Sequence, residues 1–185
     1  MNTNRQKALL IIDMQKASFS QGTPKHNADT VVDRINLLSK RFRDAGYPVI
    51  VIQHDGSAQN EYVPGSIDWQ LLDELEVSKD DFRIDKKAND SFYQTSLQEL
   101  LTRLQVHELF ITGAATDFCV DSTVQSALVK DYDVVIAEDG HTAGPRPHVN
   151  AEQVVNHYNW IWGNLTPTKG KVIVRKTTAI IESLG

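Results

Sequence analysis

The sequence predicts an α/β fold, a three-layer α-β-α Rossmann-like arrangement with a mostly parallel central sheet of five or six strands. Short apolar runs of β type alternate with helical patterns from one end of the chain to the other, which is typical of a parallel sheet wrapped in helices. The apolar runs show no polar alternation, as expected of strands that are covered on both faces. A length of 185 residues suits a single domain over 1–185.

The first half of the chain contains two predicted strands with a helix between them. The run ALLIID at 8–13 is the first strand, and PVIVIQHD at 48–55 is the second. A helix over 28–46 is predicted from apolar residues at helical spacing, namely Val31, Ile35, Leu38, Phe42 and Ala45. The segment 55–80 is predicted to be a long functional loop that covers the site, with one short helix near 67–75.

The second half of the chain continues the alternation. The predicted elements are, in order, a strand at 81–86, a helix at 94–104, a strand at 108–113, a helix that contains Cys119, a strand at 132–139, a helix around 150–162, a strand near 171–174 and a terminal helical turn.

Composition excludes several classes of function. The formal net charge is -5 and no basic stripe is visible, so we expect no nucleic-acid partner, because such proteins need a basic face to replace phosphate counterions. No apolar run reaches about 18 residues, so no membrane span is expected. The single cysteine cannot form an internal disulfide, and the N-terminal apolar run is too short for a signal peptide. We therefore expect a cytoplasmic protein that acts on a small molecule.

Three chemically reactive side chains fall at the ends of predicted strands. Asp13 closes the first strand, Lys86 closes the strand at 81–86, and Cys119 follows the strand at 108–113 by a short turn. In open parallel sheets the site forms beyond the carboxyl ends of the strands. An acid, an ammonium and a thiol gathered there would supply a base, a charge stabiliser and a nucleophile.

The turn before Cys119 has features that favour a reactive thiol. Thr116 is predicted to be an N-cap, which places Cys119 among the free N–H groups of the first helical turn. The positive end of the helix dipole is expected to lower the pKa of the thiol, and the same N–H groups could hold an oxyanion. A solvated role for Asp13 or Lys86 and a purely apolar role for Cys119 remain open, because spacing alone does not show that the three side chains meet.

Four segments carry a resemblance to a known family. They read LLIIDMQKASF, IDKKANDSFYQTSLQELL, LFITGAATDFCVDSTVQSAL and YDVVIAEDGHT. Together they resemble the isochorismatase-like cysteine hydrolases, a group that includes nicotinamidases and other small amidases. The likeness covers nearly the whole chain, and the pattern of Gly113, Thr116, Cys119 and Val120 is quite specific to the group.

The resemblance implies a catalytic triad of Asp13, Lys86 and Cys119. Lys86 is chosen over Lys87 because it lies six residues before Phe92. The resemblance also implies a cis peptide between Ala114 and Ala115, which would turn the N–H groups of Ala115 and Cys119 towards a substrate oxygen.

The implied reaction is hydrolysis of a small-molecule amide through a thioester. Two alternatives within the fold are isochorismatase-type hydrolysis of another small metabolite and a non-catalytic binding or scaffold domain. A phospho-acceptor receiver domain is a weaker alternative, because LLIIDMQ has a single acidic residue.

Neither a metal nor another cofactor is expected. Nicotinamidases carry a motif resembling D-x-H-x-x-H after the second strand, whereas the segment QHDGSAQNEYVPGSIDW offers His54 and Asp55 without a second histidine. Metal ligation needs three or more convergent ligands. The chain therefore resembles a metal-free, amidase-like branch of the family, and His54 is predicted to be a wall of the pocket or a hydrogen-bonding residue.

Seven residues are predicted to line the substrate pocket around Cys119. They are Phe19, His54, Trp69, Phe92, Thr116, Phe118 and His141. Each aromatic residue among them could equally be core, and His141 could simply belong to a turn. Trp160 and Trp162 point to different faces of a helix, so one is expected to be exposed, in keeping with a homodimer or homotetramer.

Overall fold

A six-stranded parallel sheet forms the centre of the protein in the computed structural model, which describes residues 6–20, 22 and 24–184. The strands are β1 (Gln6–Ile12), β2 (Val49–His54), β3 (Phe82–Lys86), β4 (Val106–Ala114), β5 (Asp133–Thr142) and β6 (Val172–Arg175). Their order in the sheet is β3-β2-β1-β4-β5-β6, and every neighbouring pair is parallel. The prediction of a parallel α/β sheet is confirmed.

Five α-helices accompany the sheet within these residues. They are α1 (Ala28–Asp44), α2 (Leu97–Arg103), α3 (Asp121–Val129), α4 (Ala151–Gly163) and α5 (Thr177–Ser183). None of the helices in the described part of the chain is long and apolar enough to cross a membrane.

The core lies in two layers, one on each face of the sheet. Alternate residues of β1 belong to different layers, since Leu10 packs in the cluster that contains residues of α2 and α3, while Leu9 packs in the cluster that contains residues of α1 and α5. Both side chains are fully buried. A strand covered on both faces has no reason to alternate apolar with polar residues, which explains the continuous apolar run.

The order of the strands places a crevice between β1 and β4. From β1 the chain builds the sheet outward through β2 to β3, and β4 then starts on the opposite side of β1. Ligands of open parallel sheets bind at such a reversal, outside the carboxyl ends of the strands. Asp13 directly follows β1, and the segment that carries Cys119 directly follows β4.

Close contact between β1 and β4 requires a glycine at this edge. Gly113 has a φ of +120°, and a Cβ at this position would lie 2.1 Å from the carbonyl oxygen of Ile12. Only a residue without a side chain tolerates both conditions. Gly113 thus sets how near the segments that carry Asp13 and Cys119 approach each other.

The long loop differs from its prediction in one respect. The short helix predicted near 67–75 is wrong, because these residues form turns and one antiparallel bridge between Leu71 and Gln15. The side-chain amides of Gln15 and Gln53 donate to the carbonyl oxygen of Trp69, each at 3.0 Å. Contacts with the sheet edge, rather than helical hydrogen bonds, hold this part of the loop.

The two tryptophans of α4 separate as predicted. Trp160 is 66% exposed, whereas Trp162 is fully buried and donates from its indole N–H to the Asp121 carboxylate at 2.9 Å. A homodimeric or homotetrameric assembly through such exposed side chains stays a prediction.

Candidate active site

The structure brings Asp13, Lys86 and Cys119 together at the carboxyl edge of the sheet. The Lys86 ammonium lies 2.7 Å from Asp13 Oδ2 and 3.2 Å from Cys119 Sγ. Asp13 follows the first strand in sequence and Lys86 ends the third, and the parallel order of β3, β2 and β1 carries both side chains to one edge.

All three hydrogen-bond donors of the Lys86 ammonium are used within this site. Its third hydrogen bond goes to the carbonyl oxygen of Ala88 at 3.0 Å, so all three of its donors have partners. Burial opposes the charged form, but the charge of Asp13 and the hydrogen bonds to Asp13 and Cys119 outweigh it and raise the pKa of Lys86. Lys86 therefore stays protonated throughout the neutral range and acts as a fixed positive charge.

The Asp13 carboxylate has one oxygen available for a proton. Oδ2 accepts from Lys86, while Oδ1 is buried and has no hydrogen-bond partner among the described residues. A buried carboxylate oxygen without a donor is costly. This atom is therefore the natural acceptor for the thiol proton or for an N–H group of a ligand.

The pKa of Cys119 differs from its sequence-based prediction. Burial, followed by the negative charge of Asp13, raises the pKa of the thiol to about 12, and the opposing charge of Lys86 is not sufficient to reverse this. The expectation that the helix terminus would lower this pKa is wrong for the free protein, because burial and the nearby carboxylate outweigh the dipole. Cys119 rests as a thiol and needs a base when it reacts.

The segment that links β4 to α3 shapes the pocket floor. The peptide bond between Ala114 and Ala115 is cis. The N–H groups of Phe118 and Val120 both donate to the carbonyl oxygen of Ala115, at 3.1 and 3.2 Å, in a widened turn over Thr116–Val120. Cys119 lies between these two donors, at the entrance to α3.

Thr116 is not an N-cap, in contrast to its prediction. Its side chain makes no capping hydrogen bond, and its hydroxyl lies 2.8 Å from Nδ1 of His141 instead. A buried histidine with two ring nitrogens is a stronger partner for a buried hydroxyl than the backbone of this widened turn.

A chain of hydrogen bonds determines the tautomer of His141. Asn159 donates from its amide to the carbonyl oxygen of Glu138, which turns its Oδ1 towards His141 Nε2 at 2.9 Å. That oxygen can only accept, so Nε2 carries the hydrogen and Nδ1 accepts from the Thr116 hydroxyl. Burial lowers the pKa of His141 to about 4, which keeps the ring neutral.

A cavity of about 420 Å³ opens directly above the cluster. Its lining residues come from five segments of the chain: Asp13, Ser18, Lys25, His54, Glu61, Tyr62, Asn89, Ala114, Ala115, Phe118, Cys119 and Arg146. A space of this size suits a small molecule.

Two of the predicted pocket residues line this cavity. His54 packs edge to face on Tyr62, with 5.6 Å between ring centroids, and burial followed by the charge of Lys86 lowers its pKa. Phe118 is 48% exposed, and the Arg146 guanidinium lies 4.9 Å from its ring centroid. Both side chains offer flat surfaces to a ligand.

The other predicted pocket residues do not line the cavity. Phe19 lies beside Val32 and Leu72 at a separate depression, and Phe92 is a core residue that stacks on Tyr132. Trp69 contributes its carbonyl to the hydrogen bonds of the loop, and Thr116 and His141 lie buried behind the floor. An aromatic residue near a motif in sequence has no fixed direction until the core is packed.

Several lining residues were missed by the sequence analysis. Lys25 lies in the loop after β1, Tyr62 lies in the predicted covering loop, and Arg146 lies just beyond β5. Arg146 could have been found, because the segment GPRPH follows a predicted strand, at the same edge of the sheet as Asp13 and Cys119. Lys25 and Tyr62 gave no such signal. Among the described residues, no three histidine, cysteine, aspartate or glutamate side chains converge as metal ligands would.

Comparison with known proteins identifies the family of this chain. The model of the isochorismatase domain matches residues 7–161. The chain belongs to the isochorismatase family. It is 33% identical over 135 residues to a streptothricin hydrolase of Streptomyces noursei, an alignment that covers 73% of this chain and 54% of the relative. The chain thus spans about half the length of that relative.

Other members of the isochorismatase family match along more of their length. A ureidoacrylate amidohydrolase of Pantoea ananatis is 31% identical over 182 residues, covering 77% of this chain and 72% of the relative. The crystal structure of an isochorismatase family protein superposes with a TM-score of 0.82 at 34% identity, covering 85% of this chain and 93% of that one. The relatives of this chain include proteins that are named hydrolases and amidohydrolases.

Proposed function

We propose that this hydrolase cleaves a C–N bond of a small amide by covalent catalysis through Cys119. The observation that carries the proposal is the Lys86 ammonium, which is hydrogen-bonded at once to the Asp13 carboxylate and to the thiol at the base of a ligand-sized cavity. A base, a nucleophile and a fixed positive charge within contact distance are the components of acyl transfer.

The first step transfers one proton and forms one bond. Asp13 takes the thiol proton on its free carboxylate oxygen while the sulfur of Cys119 attacks the amide carbonyl carbon. The carbonyl oxygen becomes an oxyanion, and the N–H groups of Ala115 and Cys119, two residues that line the cavity, are the donors that the family resemblance implies for it. Lys86 keeps its proton and offsets the negative charge that develops around Cys119.

The second step breaks the C–N bond and regenerates the enzyme. The tetrahedral intermediate collapses, and the leaving amine takes the proton that Asp13 holds, which leaves a thioester on Cys119. A water molecule then gives its proton to Asp13 and attacks the thioester carbonyl. The released thiolate recovers the proton from Asp13, and a carboxylic acid leaves.

The raised pKa of Cys119 supports a base-assisted attack rather than a preformed thiolate. A thiol with a pKa of about 12 is almost entirely protonated at neutral pH. Transfer of the proton during attack avoids a separate, costly ionisation of a buried group. The relative named ureidoacrylate amidohydrolase supports an amide-type substrate over isochorismatase-type hydrolysis.

The test is an unbiased panel of small amides and esters, with intact-protein mass spectrometry after rapid quenching. We expect an acyl adduct on Cys119 with at least one substrate, and loss of both adduct and turnover in Cys119→Ala. Val129→Ala, at an exposed position of α3, is the control and should keep the rate of the unmodified protein. Turnover that persists in Cys119→Ala would refute covalent catalysis by this residue.

A further inference from the structure

The turn over Thr116–Val120, which carries Cys119, begins where β4 leaves the sheet. The last pair that β4 forms with β5 joins Ala114 to Thr142. Beyond this pair the backbone ladder with β5 no longer holds the chain. Side-chain contacts at the two ends of the turn therefore decide where it lies relative to the sheet.

The first residue of the turn is held by His141. The Thr116 hydroxyl lies 2.8 Å from His141 Nδ1, and the two residues are 0% and 1% exposed. The ring is also fixed on its other side, because Nε2 donates to Oδ1 of Asn159 on α4 at 2.9 Å. Thr116 is thus bonded to a ring that cannot rotate without breaking a second buried hydrogen bond.

The residue that directly follows the turn is held by Trp162. The indole N–H donates to Asp121 Oδ1 at 2.9 Å, and the Trp162 side chain is fully buried. Asp121 is the first residue of α3, and the Thr123 hydroxyl in the same helical turn donates to the carbonyl oxygen of Cys119 at 2.7 Å. Cys119 is therefore tied to the helix end that Trp162 holds.

His141 and Trp162 are themselves in contact. Their rings pack edge to face, with centroids 5.1 Å apart and an angle of 76° between the planes, which is a preferred arrangement for aromatic pairs. His141 belongs to β5 and Trp162 to α4, so neither lies on the segment that carries Cys119. The beginning and the end of the turn are thus joined through one buried pair of rings.

We propose that His141 and Trp162 are positioning residues that form a buried clamp on both ends of the turn that carries Cys119. Neither side chain is among those that line the cavity, so both act on Cys119 through Thr116 and Asp121.

The clamp keeps the sulfur of Cys119 within 3.2 Å of the Lys86 ammonium. Productive geometry in an active site tolerates displacements of only about 0.5 Å, so groups that fix the nucleophile contribute to the rate without touching the substrate. This inference rests on the proposed function, because the position of Cys119 limits the rate only if its sulfur is the nucleophile.

The kinetic test measures acylation by p-nitrophenyl acetate, followed by the release of p-nitrophenolate. In this reaction a C–S bond forms on Cys119, the ester C–O bond breaks, and the thiol proton passes through Asp13 to the departing p-nitrophenolate. Thr116→Val replaces the hydroxyl by a methyl group, and Trp162→Phe removes the indole N–H but keeps an aromatic ring. Each change is expected to lower the acylation rate constant about tenfold.

The double variant Thr116→Val/Trp162→Phe tests whether the two contacts act as one clamp. Release of either end already frees the turn, so the double variant should be about as slow as the slower single variant, a loss of about tenfold rather than a hundredfold. Losses that multiply would show that the two contacts act independently and would overturn the clamp.

Conservative variants distinguish positioning from a general loss of stability. Thr116→Ser keeps the hydroxyl, and Asp121→Asn keeps an acceptor oxygen for the indole, so both should acylate within about twofold of the unmodified protein. Thr177→Val is the matched control, because it removes a buried hydroxyl that donates to Asp139 at 2.7 Å at the start of α5. It should lose stability in urea, followed by circular dichroism, and keep the acylation rate. Thr116→Ser as slow as Thr116→Val would contradict the role of the hydroxyl.

Crystal structures test the clamp without any substrate. Relative to the unmodified protein, we expect the separation of Cys119 Sγ from Lys86 Nζ to lengthen by about 0.5 Å or more in Thr116→Val and in Trp162→Phe. Thr177→Val should keep the separation of the unmodified protein. A thiol that stays in place in both clamp variants would overturn the inference.

The two measurements separate this inference from the proposed function. A thiol displaced in both clamp variants, together with no acyl adduct on the unmodified protein, would support the clamp and count against the thioester route. Acylation of Cys119 at equal rates in the unmodified protein and both variants, with an unmoved thiol, would do the reverse.

Discussion

Removal of either charge of the Asp13–Lys86 pair is expected to destabilise the fold at least as much as removal of both. The two side chains are 3% and 1% exposed, and 2.7 Å separates Nζ from Oδ2. Breaking a buried pair on one side leaves an uncompensated charge, which costs about 3–5 kcal/mol. We expect a loss of this size in the free energy of unfolding for Asp13→Asn and for Lys86→Met.

The double variant Asp13→Asn/Lys86→Met removes both buried charges at once. It should be at least as stable as either single variant, which corresponds to a coupling energy of at least about 3 kcal/mol, at or above the upper end for residues in contact. The exposed pair Lys40 and Asp44 on α1, with 2.6 Å between Nζ and Oδ2, is the matched control. Its coupling should be no more than about 0.5 kcal/mol.

The measurement is urea unfolding of all seven proteins, followed by the fluorescence of the buried Trp162 and extrapolated linearly to water. Single-variant losses that add within about 0.5 kcal/mol in the double variant would show that the two charges do not depend on each other. The assignment of Lys86 as the counter-ion of Asp13 would then be refuted.

Two further predictions concern protonation. The folded protein holds the pKa of His141 at about 4, below the ordinary 6.5, so its contribution to stability is complete above pH 6.5 and is lost as the pH falls towards 4, by about 3 kcal/mol. His141→Gln should remove that part of the pH dependence in urea unfolding, and the exposed His107→Gln should not; equal pH profiles for all three proteins would contradict the neutral, buried ring. Because burial and then Asp13 raise the pKa of Cys119 while Lys86 lowers it, Asp13→Asn should alkylate faster than the unmodified protein with iodoacetamide at pH 7.5 and yet lose turnover. Slower alkylation of that variant would show that Asp13 promotes the thiolate at rest.

Local sequence patterns were sufficient for most of the secondary structure. The strand at 8–13 and the helix at 28–46 differ from β1 and α1 by one or two residues at their ends. A short continuous apolar run is typical of a strand covered on both faces, as β1 is. The short helix near 67–75 failed because the side-chain amides of Gln15 and Gln53 hold that loop in turns.

The candidate site was predictable only in part. The positions of Asp13, Lys86 and Cys119 at strand ends followed from the alternation of elements together with the rule for parallel sheets. The roles of Thr116 and His141 did not follow, because their contact joins β5 to the segment after β4 and exists only when both are packed. Whether Asp13, Lys86 and Cys119 carry out catalysis stays a prediction for the experiments above.

The sequence by itself determined the order of strands and helices along the chain, the covering of the sheet on both faces and the edge at which the reactive side chains lie. Each of these depends on residues a few positions apart. Tertiary structure alone decided that the resting thiol of Cys119 keeps its proton and that Phe118 faces the cavity while Phe92 does not. These properties depend on burial and on distances between segments far apart in the chain, and a linear pattern contains neither.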